Sequence, residues 1–140
     1  MRLGSLFWEH LSDNGSGEAF AAPVDVRLSP HDVVQPDIAV VLADRLDILT
    51  EQFIDGAPDL VVEILSASTI DRDLVVKYQL YETHGVREYW VIDPDAERVE
   101  IHVNRDGAFQ NIVRQSRHGI VESVVLEGFR FDIALLFSTS

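Results

Sequence analysis

The chain has 140 residues, 46% of them hydrophobic, and carries 24 acids against 11 lysines and arginines, for a formal net charge of −13 at pH 7. That length and apolar share fit one domain, 1–140, with a real core and no room for a second, and the absence of cysteine excludes disulfides, thiolate metal sites and cysteine nucleophiles. The histidines at 10, 31, 84, 102 and 118 lack ligand spacing, no apolar run reaches transmembrane length, and Met1-Arg2-Leu3 opens no signal-peptide pattern, so the expectation is a soluble cytoplasmic protein without zinc.

The first segment that reads as a buried strand is Pro36-Asp37-Ile38-Ala39-Val40-Val41-Leu42, which opens with an acid behind a proline, a residue tolerated at the first strand position. Taken alone, Asp37 is a turn or strand-end residue as readily as a ligand. Pro58 to Ser66 follows as an apolar run that after Asp59 is interrupted only by Glu63, the pattern of a central strand covered on both faces. An acid inside such a strand is seldom tolerated without a partner or a metal. Asp59 falls on the same face as Glu63 by strand alternation, and a strand-start turn explains it about as well.

A helix is expected from about Asp71 to His84, with Ser68-x-x-Asp71 spaced as a capping box and Gly85 as its stop. Ile70, Leu74, Tyr78 and Tyr81 fall on one stripe, and Lys77 lies in the middle of it. Lys77 is the single lysine in a chain with ten arginines. A lysine aimed at a core must snorkel out or meet carboxylates. Two readings therefore stand: a surface pair with Asp73 one turn away, or a partner among the strand acids. Two carboxylates and an amine suit a hard divalent cation, which takes oxygen ligands and keeps waters that phosphate oxygens can replace.

Downstream the pattern becomes antiparallel. Glu88–Ile92 and Arg98–Val103 read as strands joined by the Asp93-Pro94-Asp95-Ala96 turn, followed by Ala108–Val113, a strand from about Val121 to Leu126, and an apolar tail from Phe129 to Phe137. Tyr89 and Trp90 sit inside the strand pattern and are expected in the core. Leu135, Leu136 and Phe137 are suited to closing the core or a dimer seam.

Val34-Gln35-Pro36-Asp37-Ile38, the run Ala57 to Thr69, Asp73, Lys77, Tyr81 and the run Gly85 to Pro94 together resemble the Uma-two family of restriction-endonuclease-like proteins, within the PD-(D/E)xK nuclease superfamily. The resemblance covers about Ala21 to Phe137 and implies an α/β fold, a mixed sheet flanked by helices with an antiparallel C-terminal hairpin region. It also implies that Asp37 and Glu63 hold Mg2+ or Mn2+. Leu65 stands where the strand lysine of the motif is usual, so Lys77 would be a migrated lysine supplied by the following helix. Ala67 replaces the usual proline. Family members carry a longer amino-terminal region with a hairpin and a helix, whereas this chain starts almost inside that helix, at Leu3, Phe7 and Leu11. Glu9 and Glu18 are weaker candidates for an acid contributed from there.

The expected function is metal-dependent hydrolysis of DNA phosphodiesters by Asp37, Glu63 and Lys77, in a protein that forms a homodimer. The net charge opposes a broad grip on phosphate, and Arg72, Arg87, Arg114 and Arg117 are the bases that could reverse it locally. The alternative is a non-catalytic dimeric binding or scaffold module that keeps the nuclease fold and takes a protein partner.

Overall fold

The computed structural model describes residues 2–67 and 71–137. Chain order is α1 (Leu3–Asn14), β1 (Gly17–Ala21), β2 (Val26–Ser29), β3 (Asp32–Val34), β4 (Ile38–Leu42), a 3-10 segment (Ala43–Ile48), β5 (Ile54–Asp55), β6 (Leu60–Ile64) and α2 (Asp71–Thr83). Then come β7 (Glu88–Asp93), β8 (Arg98–Arg105), β9 (Ala108–Ser116), β10 (Ile120–Glu122), β11 (Arg130–Asp132) and α3 (Ala134–Phe137). Among the described residues six strands form one mixed sheet in the order β1-β4-β6-β7-β8-β9. Within it β6 and β7 are parallel, because α2 carries the chain back across the sheet between them. The other neighbours are antiparallel, and β7 to β9 form the expected C-terminal meander.

Strand alternation divides the interior into two layers. Ile38, Val40, Leu60, Val62, Trp90 and Ile92 face Leu3, Phe7 and Leu11, which recur every fourth residue on α1 and so form one stripe. Phe7 stacks on Phe129 at 4.7 Å and meets the Trp90 ring edge-on at 5.5 Å. Ala39, Val41, Val61 and Tyr89 point the other way, toward Tyr81 of α2. The two helices therefore cover opposite faces. Tyr89 and Trp90 are core residues, as their pattern predicts.

α2 ends where the sequence predicts. Gly85 takes φ +85°, and the Val86 N–H donates to the Tyr81 carbonyl at 3.0 Å, closing the last turn. Ser68, the cap residue expected at its start, and Ile70 lie outside the described residues. No helix among the described residues is long and apolar enough to cross a membrane.

The strand expected from Val121 to Leu126 is shorter than predicted, and β10 ends at Glu122. The cause is a buried carboxylate on β7. Glu88 is fully buried and accepts from Val124 N–H at 2.7 Å, Val125 N–H at 3.2 Å, Ser123 Oγ at 2.6 Å and Trp90 Nε1 at 2.9 Å, so the chain wraps round it instead of continuing a ladder. Every one of those groups donates. Glu88→Gln places an amide donor among them and should lower stability by about 2 kcal/mol. Denaturant unfolding checks this, and a midpoint unchanged from the natural protein would show that the wrap does not depend on the carboxylate.

Candidate active site

Asp37 and Glu63 meet because of register. In the β4–β6 pair Ile38 lies opposite Val62 and Ala39 opposite Val61, and the Asp37 N–H also donates to the Val62 carbonyl at 3.0 Å, tying the residue before β4 to the end of β6. Asp37 thus stands beside Glu63 in one cleft, close enough for its charge to act on the Glu63 carboxyl. Like charges brought together on adjacent strands repel. Asp37 Oδ2 accepts the Ile64 N–H at 2.6 Å, which fixes its carboxylate over the end of β6.

The helix answers with a lysine and a tyrosine one turn apart. Lys77 Nζ lies 3.1 Å from Glu63 Oε2, and the Tyr81 hydroxyl donates to Oε1 at 2.7 Å. Tyr81 is fully buried and Glu63 nearly so, while the Lys77 side chain keeps 31% of its exposure. The ammonium thus stands between core and solvent. Of the two sequence readings, the pair with Asp73 is not made; Lys77 reaches the strand acid instead. Burial pushes the Glu63 carboxyl above its ordinary value, against the pull of Tyr81 and Lys77, and the negative charge of Asp37 adds to the rise. Burial and Glu63 likewise push the Tyr81 hydroxyl up, so it remains a donor.

Asp37, Glu63 and Lys77 line an open cleft of about 240 Å3 that also includes Gln35, Asp73 and Leu74. Its polar lining is oxygen-rich and has Lys77 as its cation. Among the described residues no group of three or more histidine or carboxylate side chains converges anywhere. Any cation held here would rest on two protein carboxylates.

The weaker candidates lie elsewhere. Asp59 does share Glu63's face of β6, but four residues earlier, ~13 Å along a strand. It is fully buried, accepts the Leu42 N–H at 2.8 Å and sits 3.3 Å from Arg45 and 3.5 Å from Arg87, an anchoring role for the loop before β6. Glu9 on α1 and Glu18 on β1 are exposed and line different surface hollows from the cleft. Of the four arginines singled out, Arg87 is committed to Asp59 and Arg114 to Glu100, and none of them lines the cleft. Tyr81 is the residue that sequence reasoning assigned to the apolar stripe alone. The signal was its position one turn beyond Lys77.

A mixed sheet with one helix layer on each face, and acids delivered by adjacent strands, defines a nuclease-like α/β class. A crystal structure described as a "putative nuclease belonging to DUF820", from Anabaena variabilis ATCC 29413, has this fold, with a TM-score of 0.76 at 21% identity, covering 96% of this chain and 75% of that one. The Uma2 family model, described as "Putative restriction endonuclease", matches residues 1–134, and the chain belongs to that family. A search of curated proteins finds no match.

Proposed function

We propose that the protein is a divalent-metal-dependent DNA endonuclease in which Asp37 and Glu63 hold Mg2+ or Mn2+ and Lys77 positions the attacking water. The observation that carries this is the pair of carboxylates brought into one cleft from adjacent strands, with a part-exposed ammonium on one of them. Left alone, that arrangement is unfavourable: a desolvated acid beside a second acid, in a chain with formal net charge −13. A hard cation removes the penalty. The donor set fits one, since both groups offer carboxylate oxygens, and each oxygen that accepts a hydrogen bond, Asp37 Oδ2 and the two of Glu63, keeps a second lone pair. The open cleft leaves room for the waters that magnesium retains.

Bound there, the cation supplies charge neutralisation at the phosphate. The rest belongs to the chain. Asp37, clamped by the Ile64 N–H, and Glu63, clamped by the Tyr81 hydroxyl, hold their orientations without rearrangement. Lys77 Nζ has three donor hydrogens and uses one on Glu63, so it can direct a water toward phosphorus and stabilise the negative oxygens that form as water attacks. The water oxygen bonds to phosphorus, the ester P–O bond breaks, and a phosphate monoester and a sugar hydroxyl result. DNA as substrate is supported by the family's description as a restriction endonuclease.

Metal binding tests this without a guess about DNA sequence. Calorimetric titration of Mn2+ should give one saturable site in the natural protein, lost in the Asp37→Ala, Glu63→Ala double variant. Equal heats from both proteins at millimolar metal would remove the metal site and leave the binding module as the better reading.

A further inference from the structure

A second hollow, of about 300 Å3, lies against the cleft and shares Leu65 and Leu74 with it. Its floor is apolar and aromatic: Tyr78 on α2, and Tyr89 and Val91 on β7. Tyr78 sets its ring edge-on against Tyr89 at 6.1 Å and His102 at 5.5 Å. The rim carries Asp93, Arg98, Glu100 and His102. Their commitments differ. Asp93 Oδ1 caps the following turn through the Asp95 and Ala96 N–H groups, both at 3.1 Å, and its Oδ2 takes Arg98 at 3.4 Å. Glu100 makes only long contacts, with Arg98 and Arg114 at 3.5 and 3.4 Å on Oε1 and with His102 at 3.5 Å on Oε2. It is thus a half-buried carboxylate with accepting capacity left, at the edge of a hydrophobic recess.

We propose that this hollow binds an unpaired nucleobase with an exocyclic amino group, cytosine, adenine or guanine, next to the phosphate that is cut, and that Glu100 accepts from that amine. The proposal rests on the nuclease reading and names its substrate class: single-stranded or locally opened DNA. Arg98, the arginine on the rim, is already spent on Asp93 and Glu100, which leaves little there to draw a phosphate, so the backbone stays outside. A base is neutral, flat and apolar on its faces, and matches the floor. Its amine offers two donor hydrogens to the acceptor, whereas thymine has only its N3–H, flanked on both sides by carbonyls that the carboxylate repels. A base inside a duplex cannot reach a recess between a helix and a sheet, so it must leave the stack. The acidic chain agrees with this economy: a protein of net charge −13 is poorly made to grip a long stretch of phosphates, and a base pocket beside the cut gives it another hold.

The test is equilibrium binding of labelled short oligo-dC and oligo-dT by fluorescence anisotropy, with Ca2+ in place of Mg2+ so that strands stay whole. Oligo-dC should bind about tenfold more tightly than oligo-dT, the discrimination a single base-edge contact gives. Glu100→Gln replaces one accepting oxygen by a donor, and should bring the ratio near one by weakening oligo-dC and strengthening oligo-dT. A purely structural role for Glu100 would weaken both strands alike. Equal affinities in the natural protein, or a preference that survives Glu100→Gln, overturn the pocket while leaving manganese binding by Asp37 and Glu63 standing. Failure of both strands to bind overturns the pocket and counts against the nuclease reading as well.

Discussion

Replacing Lys77 with alanine should lower the rate of DNA cleavage about 1,000-fold, the loss expected when a preorganised donor to the transition state is removed. The protein should stay folded. Lys77 is part exposed and packs only half into the α2 face, so truncation opens no closed cavity. The acid it leaves behind has a ready escape, because burial already pushes Glu63 toward the protonated form. Melting should therefore shift by a few degrees at most. Asp37 and Glu63 remain in place, so manganese should still bind, and this separates loss of the attacking-water contact from loss of the site. Lys77→Arg should recover little, since a planar fork cannot take the position of a compact ammonium 3.1 Å from Glu63 Oε2. Cleavage by Lys77→Ala at the rate of the natural protein would end the catalytic assignment of Lys77.

Lys77 could be found in the sequence because it breaks a pattern: a cation in an apolar helical stripe must have a partner, and Glu63 breaks a strand in the same way. Each violation of local rules pointed at the other. Asp37 was less legible, since an acid behind proline at a strand start breaks no rule, and the β4–β6 pairing that brings it beside Glu63 is decided at long range. Tyr81 was hidden for the opposite reason. Its ring satisfies the apolar stripe, and nothing local reveals that its hydroxyl is spent on a carboxylate. Glu88 escaped notice because it opens a strand, where acids usually reach solvent; three of its four donors come from a segment about 35 residues further on. Alternation correctly put Asp59 on the face of Glu63 and said nothing of distance along the strand, which is what removes it from the cleft. Periodicity reports faces; pairing reports neighbours.

Glu63→Gln should reverse the order of stability of the two proteins according to whether metal is present. The folded Glu63 carboxyl lies above its ordinary value of 4.5, chiefly through burial. The sign of the linkage follows: the folded state binds this proton more tightly than the unfolded chain, so the group's contribution is fully present below pH 4.5 and is lost as pH rises through the folded value. Glutamine never ionises, keeps an oxygen for the Tyr81 hydroxyl, and ends the repulsion by Asp37; its amide faces Lys77 Nζ, which is part exposed and can turn to solvent, unlike the buried donors round Glu88. In chelator the melting temperature of Glu63→Gln should exceed that of the natural protein, by a margin that grows from pH 4.5 toward neutrality. With manganese at about one hundred times its dissociation constant the natural protein should gain about 2.7 kcal/mol, near 8–10 °C for a domain of this size, and the variant almost none. The natural protein then becomes the more stable of the two. Stabilisation in chelator alone would be shared by any protein that buries this acid; only the inversion on adding metal belongs to a site that keeps it for a cation. Melting curves that keep the same order in both solutions would mean that Glu63 is retained for its hydrogen bonds with Tyr81 and Lys77.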